Sequence, residues 1–257
     1  MRFSELKVYL DEKADQYNDP NFIENDPIQI PHRFTLKQDI EIAGFLAATI
    51  AWGNRKSIIS SANKMMDFMG NSPYDFVMNA QESDFQKLGS KAVHRTFSAE
   101  DFQFFLEALK RLYSNEESLE SYFLLQENET NFYHALERFR TSFFGSQPKH
   151  RSFKHVSSTY KNSAAKRLVM YLRWMVRQDK RGVDFGIWKN LDQRYLSVPL
   201  DVHTANVSRS LGMVKRIQND WKTVEEMDVF LRKLDSTDPA KYDFALFGIG
   251  VSKDLLI

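Results

Sequence analysis

Hydrophobic positions recur every three to four residues along most of this chain, and that spacing is typical of amphipathic helices. Glycine is sparse, with 10 in 257 residues, and no segment alternates hydrophobic and polar positions as a strand would. The predicted helices cover about 3–17, 40–52, 55 onwards, segments beginning near 73, 98 and 118, 131–144, 163–178, 202–212, 223–234 and 239–248. The pattern therefore predicts an all-α fold without a convincing strand.

Two local signals refine this prediction. The stretch from Ile40 to Trp52 is apolar on almost every side, which indicates a helix buried at the centre of a core. Ser98 and Asp101 have the spacing of a reciprocal helix cap, in which each side chain bonds the other residue's backbone amide. No unstructured linker divides the chain.

Composition limits the classes of function. Hydrophobic residues make up 42% and charged residues 27%, as in globular proteins, and no apolar run reaches the roughly 20 residues that cross a bilayer. The start, "MRFSELKVYLDEK", carries acids where a secretory signal has none, so we expect a cytoplasmic protein. The chain has no cysteine, which excludes disulfides, thiol catalysis and thiolate metal sites. The histidines lack metal-ligand spacing, so we predict no metal and no cofactor.

The charge distribution is uneven although the net charge is only +1. Ten lysines and arginines lie between residues 147 and 181, where Asp179 is the one acid. A neutral chain with one basic sector can hold a phosphate backbone on that side. A solvated lysine-rich surface is the alternative interpretation.

The helix predicted over 163–178 has two stripes. Leu168, Leu172, Met175 and Val176 share one stripe and should face the core, whereas Lys166, Arg173 and Arg177 form a second, cationic stripe. A cation in the first turn of a helix is disfavoured by roughly 0.3–1 kcal/mol. A surface lysine also improves solubility, and that benefit alone can explain its presence there. In the alternative, functional interpretation, neighbouring positive charge favours a neutral Lys166 amine, a nucleophile that can form a Schiff base with a sugar aldehyde.

The stretch "LSVPLDVHTANVSRSLGM", residues 196–213, predicts an extended entry and then a helix. Pro199 disfavours helix at the preceding residue, so Asp201 becomes the N-cap and accepts a hydrogen bond from an amide near Thr204. A helix cap is the simpler interpretation. A capping carboxylate is also ionised and fixed in direction, which suits it to stabilising a developing cation.

Several segments of the chain resemble those of a known superfamily. "PLDVHTANVSRSLG" is similar to the segment that carries the catalytic Asp in helix-hairpin-helix DNA glycosylases, and the helix at Lys166 is similar to the one that bears their lyase Lys. "DIEIAGFLAATIAWGNRKSIISSANKMM" and "KYDFALFGIG" resemble further segments, the latter in the archaeal 8-oxoguanine branch. The resemblance covers about 37–70 and 160–250. The whole chain also resembles an uncharacterised bacterial family of the Bacteroidetes type, known only as a domain of unknown function.

Some features depart from the superfamily. Its hairpin reads Leu-Pro-Gly-x-Gly, whereas "YKNSAAK" has no glycine, which predicts weaker backbone contacts to a cation and to phosphate. Lys166 and Asp201 are separated by 35 residues, which is longer than usual and closer to the archaeal branch. The four-Cys cluster of some members is absent.

The resemblance implies roles for particular residues. Lys166 would be the lyase nucleophile, with Lys161 as the fallback, and Asp201 would stabilise the sugar cation. Base recognition would fall to Asp243, Trp52, Phe244 and Phe247, and DNA binding to Asn54, Arg55, Lys161, Arg173 and Arg177. For Asn54, Arg55, Asp243 and the aromatic residues, an ordinary structural role remains open.

The resemblance also implies an all-α, two-lobed glycosylase-like fold with a central cleft that holds DNA. One lobe would be a helical barrel over 37–195, and the other would combine 1–36 with 196–257. The expected function is excision of an oxidised purine such as 8-oxoguanine from double-stranded DNA, in base-excision repair, with AP-lyase activity, by a monomer. The alternatives are a catalytically inactive DNA-binding relative and a helical interaction protein on the same fold.

Overall fold

The computed structural model describes residues 2–89, 92–146 and 150–252, and these residues are predominantly helical, as predicted. In chain order the α-helices are α1 (Phe3–Tyr17), α2 (Asn21–Glu24), α3 (Lys37–Thr49), α4 (Arg55–Phe68), α5 (Pro73–Asn79), α6 (Glu82–Phe85), α7 (Ala99–Tyr113), α8 (Tyr133–Phe144), α9 (Lys166–Val176), α10 (Val202–Ser210), α11 (Trp221–Leu234) and α12 (Tyr242–Ser252). A short hairpin pairs β1 (Ala92–His94) antiparallel with β2 (Phe97–Ser98).

Several predicted helix starts are confirmed. α1 has the predicted bounds, and α4 and α5 begin at the expected residues. At the start of α7, the Asp101 amide donates to the Ser98 hydroxyl at 3.2 Å, and the Asp101 carboxylate accepts from the Ser98 amide at 2.9 Å. This reciprocal cap is the one that the spacing predicted.

Two predictions about local structure are wrong. The helix predicted from about Ser118 is only a 3₁₀ helix over Leu119–Phe123. The buried Glu41 carboxylate accepts hydrogen bonds from the Ser118 hydroxyl and from the Leu119 amide at 3.1 Å, and these bonds hold the chain in a tight turn. The β1–β2 hairpin was missed because strands of three and two residues are too short to show an alternating pattern.

The chain divides into two compact units. The first unit comprises Met1–Glu24, Leu125–His134 and Ser158–Ile257. Within it, α12 packs against α1 and α10. The contact with α1 is close: a Cβ at Gly248 would lie 2.2 Å from the Tyr17 ring, so only glycine fits there. This unit contains Lys166 and Asp201.

The second unit comprises Asn25–Leu124 and Ala135–Ser157. Its α3 is buried along most of its length, which confirms the predicted central helix, although the helix ends at Thr49 rather than Trp52. The Phe45 ring of α3 packs against the rings of Phe105, Phe139 and Phe143 at 5.3–5.7 Å. The division into lobes at residues 37 and 195 stays a prediction. Within the described residues, no helix combines the length and apolarity that crossing a bilayer requires.

Candidate functional site

Lys166 is the first residue of α9, and a sharp turn precedes it. A 3₁₀ helix over Thr159–Lys161 leads into Asn162, which is left-handed with φ 60°. Ala165, directly before Lys166, is left-handed as well, with φ 45°. Asparagine tolerates this conformation better than most residues with a side chain, so Asn162 can make this turn without a glycine.

The turn is tied to the start of α11. The Asn162 side-chain amide donates to Asp220 Oδ2 at 2.9 Å, and the Trp221 amide donates to the Asn162 carbonyl at 3.2 Å. Ser163 and Asp220 form an isolated antiparallel bridge. The glycine-free segment is therefore a defined turn, fixed by side-chain and backbone bonds to a neighbouring helix.

Asp201 is the N-cap of α10, as predicted, and its Oδ1 accepts from the Thr204 amide at 2.8 Å. Its Oδ2 lies 3.7 Å from Lys166 Nζ. The side chains of Lys166 and Asp201 are 37% and 14% exposed, respectively. Two residues 35 positions apart thus meet where both remain reachable from solvent. The cap fixes one carboxylate oxygen and leaves the other beside the amine.

Arg173 and Arg177 are buried, although the sequence placed them on a cationic stripe. Arg173 pairs with Asp184 at 3.2 Å and with Asp243. Arg177 pairs with Asp184 at 3.0 Å and Asp238 at 2.9 Å, and also with Asp179 at 2.8 Å. Burial opposes the charge of Arg177, but these carboxylates outweigh burial and raise its pKa. Because acids of the same unit pair with both arginines, their contacts to phosphate stay a prediction that this placement does not favour.

Asp243 and Phe244 are also buried, so the structure does not offer them to an extruded base. Burial raises the pKa of Asp243 to about 6, against the opposing effect of Arg173, and the nearby Asp201 charge raises it further. The Phe244 ring lies 4.5 Å from the Arg173 guanidinium. Both residues contact Arg173 in a buried cluster, and their role in base recognition stays a prediction that this burial does not favour. Phe247 is half-buried, against Phe22 and His203, and stays a candidate.

For the other predicted site residues, the proposed roles stay predictions. Trp52 is half-buried and stacks on His155 at 5.7 Å, in the second unit. In the same unit, Asn54 is exposed and caps α4 through a 3.2 Å bond from the Ser57 amide, and Arg55 is half-buried at the next position. Lys161 is exposed in the first unit. Lys149, part of the basic sector, lies outside the described residues.

A family model described as "Protein of unknown function (DUF2400)" matches residues 26–252. The chain belongs to the DUF2400 family. Comparison with curated proteins found no match, and comparison with solved structures found none. For this DUF2400 chain the resemblance to an uncharacterised family is confirmed, and its relation to the glycosylases stays a prediction.

The DUF2400 chain has a further ion pair that the sequence analysis missed, in which the carboxylate is buried and the arginine is partly exposed. Asp228 on α11 accepts from the Ser197 hydroxyl at 2.7 Å and lies 3.3 Å from Arg232. Arg232 in turn donates to the carbonyls of Arg194 and Tyr195 at 3.2 and 3.3 Å. The pair therefore holds the extended segment that leads to Asp201.

A sequence signal for Asp228 was available. Asp228 falls between Val224 and Leu231, on the apolar stripe of an amphipathic helix, and a charge at such a position needs a partner when the stripe is buried. Arg232, four residues later, is at the spacing that lets two helix side chains meet. No comparable signal marked Asp184, which lies outside any helix.

Proposed function

We propose that this protein is a DNA glycosylase with AP-lyase activity that excises an oxidised purine, such as 8-oxoguanine, in base-excision repair. The observation that carries the proposal is the 3.7 Å separation of Lys166 Nζ and Asp201 Oδ2. An amine and a carboxylate at the starts of two helices, both in contact with solvent, have the chemistry that cleavage of a nucleoside through an imine needs. The resemblance of "PLDVHTANVSRSLG" to the superfamily segment supports the same reaction.

The carboxylate would act on the sugar. Cleavage of a glycosidic bond passes through a cation shared between C1′ and the ring oxygen, and a fixed negative charge beside the sugar lowers that barrier. Asp201 is fixed by its cap bond to the Thr204 amide. It would therefore stabilise the transition state without rearranging.

The amine would then form the covalent bond. The Lys166 ammonium gives one proton to the departing base, and its lone pair attacks C1′ as the glycosidic electron pair leaves with the base. A proton moves from the new C–N nitrogen to the ring oxygen, which opens the ring and leaves a protonated imine. Loss of a C2′ proton expels the 3′ phosphate, and water hydrolyses the imine to restore Lys166.

Borohydride trapping tests the proposal. Duplexes that carry 8-oxoguanine, uracil or an alkylated base are incubated with the protein while borohydride reduces any imine. We expect a covalent protein–DNA adduct with the oxidised purine, and Lys166→Gln should abolish it. Lys161→Gln tests the fallback nucleophile and should still form the adduct once the protein concentration saturates the duplex. Lys222→Gln, at an exposed lysine of α11 outside the predicted site, is the matched control and should trap as the unmodified protein does.

Each outcome separates the candidate functions. Loss of trapping in Lys161→Gln alone would move the nucleophile to Lys161. If every lesion stays intact while DNA binds with strong salt dependence, the protein is a DNA-binding member without catalysis. If DNA does not bind at all, the helical interaction protein is the better description and Asp201 is only a cap.

A further inference from the structure

The turn before Lys166 carries an exposed aromatic side chain. Tyr160 is 59% exposed, more than any other aromatic residue in the described ranges. A single exposed ring is common on protein surfaces, so what it indicates depends on the residues around it. The next residue, Lys161, is also exposed, and its ammonium makes no ion pair or hydrogen bond within the described part of the chain.

Neighbouring rings hold Tyr160 in place. Its hydroxyl is 2.9 Å from His134 Nδ1, and the His134 ring meets the Tyr160 ring edge-on at 5.7 Å. The Tyr133 ring packs against it at 5.4 Å, and Tyr133 in turn packs on Trp221 at 5.3 Å. Because Trp221 is buried in α11, the exposed ring is anchored to the core of its unit.

A fixed exposed ring beside an unpaired cation fits one class of partner well. Proteins bind single-stranded nucleic acid by stacking bases on aromatic side chains, while adjacent cations contact the phosphates. A ring held in advance loses little conformational entropy when a base stacks on it. In a paired duplex the base faces are already stacked on one another, so Tyr160 can reach only an unpaired base.

We propose that Tyr160, with Lys161, forms a stacking platform that binds an unpaired base and its phosphate in a DNA strand. The platform consists of Tyr160, Lys161, His134 and Tyr133. This inference rests on the proposed function for the identity of the polymer, and it narrows the substrate to DNA with unpaired bases near the lesion. The platform belongs to the same short turn that ends at Lys166.

Equilibrium binding to a lesion-free, single-stranded oligonucleotide tests the platform across a range of salt concentrations. Tyr160→Leu should weaken binding at least fivefold at every salt concentration and leave the salt slope unchanged, because stacking releases no counterions. Lys161→Gln should make the negative slope of log K against log salt shallower by about 0.7, the value for one phosphate contact on a single strand. Tyr160→Phe keeps the ring and should bind within about threefold of the unmodified protein.

Two controls make the test specific. Phe3→Leu removes the other exposed aromatic among the described residues of the same unit, 46% exposed, and should leave affinity unchanged. Lys161→Gln should bind a fully paired duplex more weakly than the unmodified protein does. Tyr160→Leu should bind the same duplex with less than a twofold loss of affinity. The proposal is overturned if Tyr160→Leu binds the single strand within twofold of the unmodified protein, or if it weakens the duplex equally.

The binding experiment does not depend on the proposed reaction of Lys166. Because the oligonucleotides carry no lesion and no imine is measured, failure of borohydride trapping leaves a positive platform result intact. Failure of the platform leaves the Lys166 reaction to be judged by trapping alone. If the unmodified protein binds no single strand, the platform is wrong. Thermal unfolding of Tyr160→Leu within about 3 °C of the unmodified protein would show that the exposed substitution leaves the fold intact.

Discussion

Asp201 combines two tasks in one carboxylate. Its Oδ1 caps α10 and its Oδ2 faces Lys166. A helix cap contributes to stability, and asparagine caps a helix about as well as aspartate does. Stabilisation of a cation needs the negative charge itself. The two tasks can therefore be separated by substitutions at this one position.

We expect Asp201→Asn to lose activity but not stability. Its free energy of unfolding should change by less than about 1 kcal/mol, because the cap survives and a partly exposed ion pair contributes little. Base excision should slow by on the order of 10²-fold, because the charge beside the sugar is lost. Asp201→Ala should cost about 1 kcal/mol more in unfolding. Equal excision rates for Asp201→Asn and the unmodified protein would reduce Asp201 to a cap.

Asn162 tests whether the turn before Lys166 depends on its left-handed residue. Both variants lose the Asn162 side-chain bond to Asp220, which should cost about 1 kcal/mol. Asn162→Gly should lose no more than that, because glycine adopts the left-handed conformation without strain, whereas Asn162→Ala adds the strain and should lose about 1 kcal/mol more. Denaturant unfolding measures both. If the two variants prove equally stable, the left-handed residue does not determine the turn.

Among the elements, α9, α10 and α11 build the site together. α9 and α10 each present one reactive side chain at the first turn, and α11 fixes the segments that lead into both. Asp220 at its start holds the turn before Lys166, and the Asp228–Arg232 pair holds the segment before Asp201. This helix contains no predicted site residue, yet it determines where the two reactive groups stand.

Asp228 should make stability depend on pH. Burial raises its pKa to about 6, while Arg232 and Ser197 act in the opposite direction. Because the folded pKa exceeds the ordinary value of 3.8, protonation stabilises the fold, and this stability is lost as pH rises through about 6. Asp228→Asn mimics the protonated form. It should be up to about 3 kcal/mol more stable at pH 8, and the gain should vanish near pH 4.

Asp220→Asn is the matched control on the same helix. Asp220 has a lowered pKa, since the Arg216, Thr223 and Asn162 hydrogen bonds outweigh burial. Its charge therefore stabilises the fold above the ordinary pKa, so Asp220→Asn should be less stable at neutral pH and approach the unmodified protein as pH falls. Thermal unfolding from pH 2 to 8 measures both, because the Asp228 effect changes between pH 3.8 and about 6 and the Asp220 effect changes below pH 3.8. The same sign for the two variants would contradict the account.

At the scale of the whole molecule, the sequence predicted helices and their caps better than it predicted charge. Asp201 and Ser98 were identifiable as caps because capping depends on neighbours within three residues. The partners of Arg173 lie 11 and 70 residues away in the sequence. The helix pattern carries no information about such distant acids, so it indicated an exposed cationic stripe where Arg173 is in fact buried. Lys166 and Asp201 were paired through resemblance alone, since nothing local predicts a contact across 35 residues.

The basic sector shows the same limit. Its ten cations suggested one continuous surface, but Arg173 and Arg177 are neutralised inside the first unit. Arg181 pairs with Asp15, and Arg151 pairs with Glu100 in the second unit. Only part of the counted charge is therefore available to a polyanion. Counting cations along a sequence overestimates a binding surface whenever distant acids cover them.

The measurement that tests the central claim most directly is identification of the residue that becomes bonded to DNA. The protein is trapped with borohydride on a duplex that contains 8-oxoguanine, digested, and the adducted peptide is sequenced by mass spectrometry. The account predicts a reduced adduct on Lys166, absent in Lys166→Gln and strongly reduced in Asp201→Asn. An adduct on another lysine, or none on any lesion while the protein remains folded and bound to DNA, would contradict it.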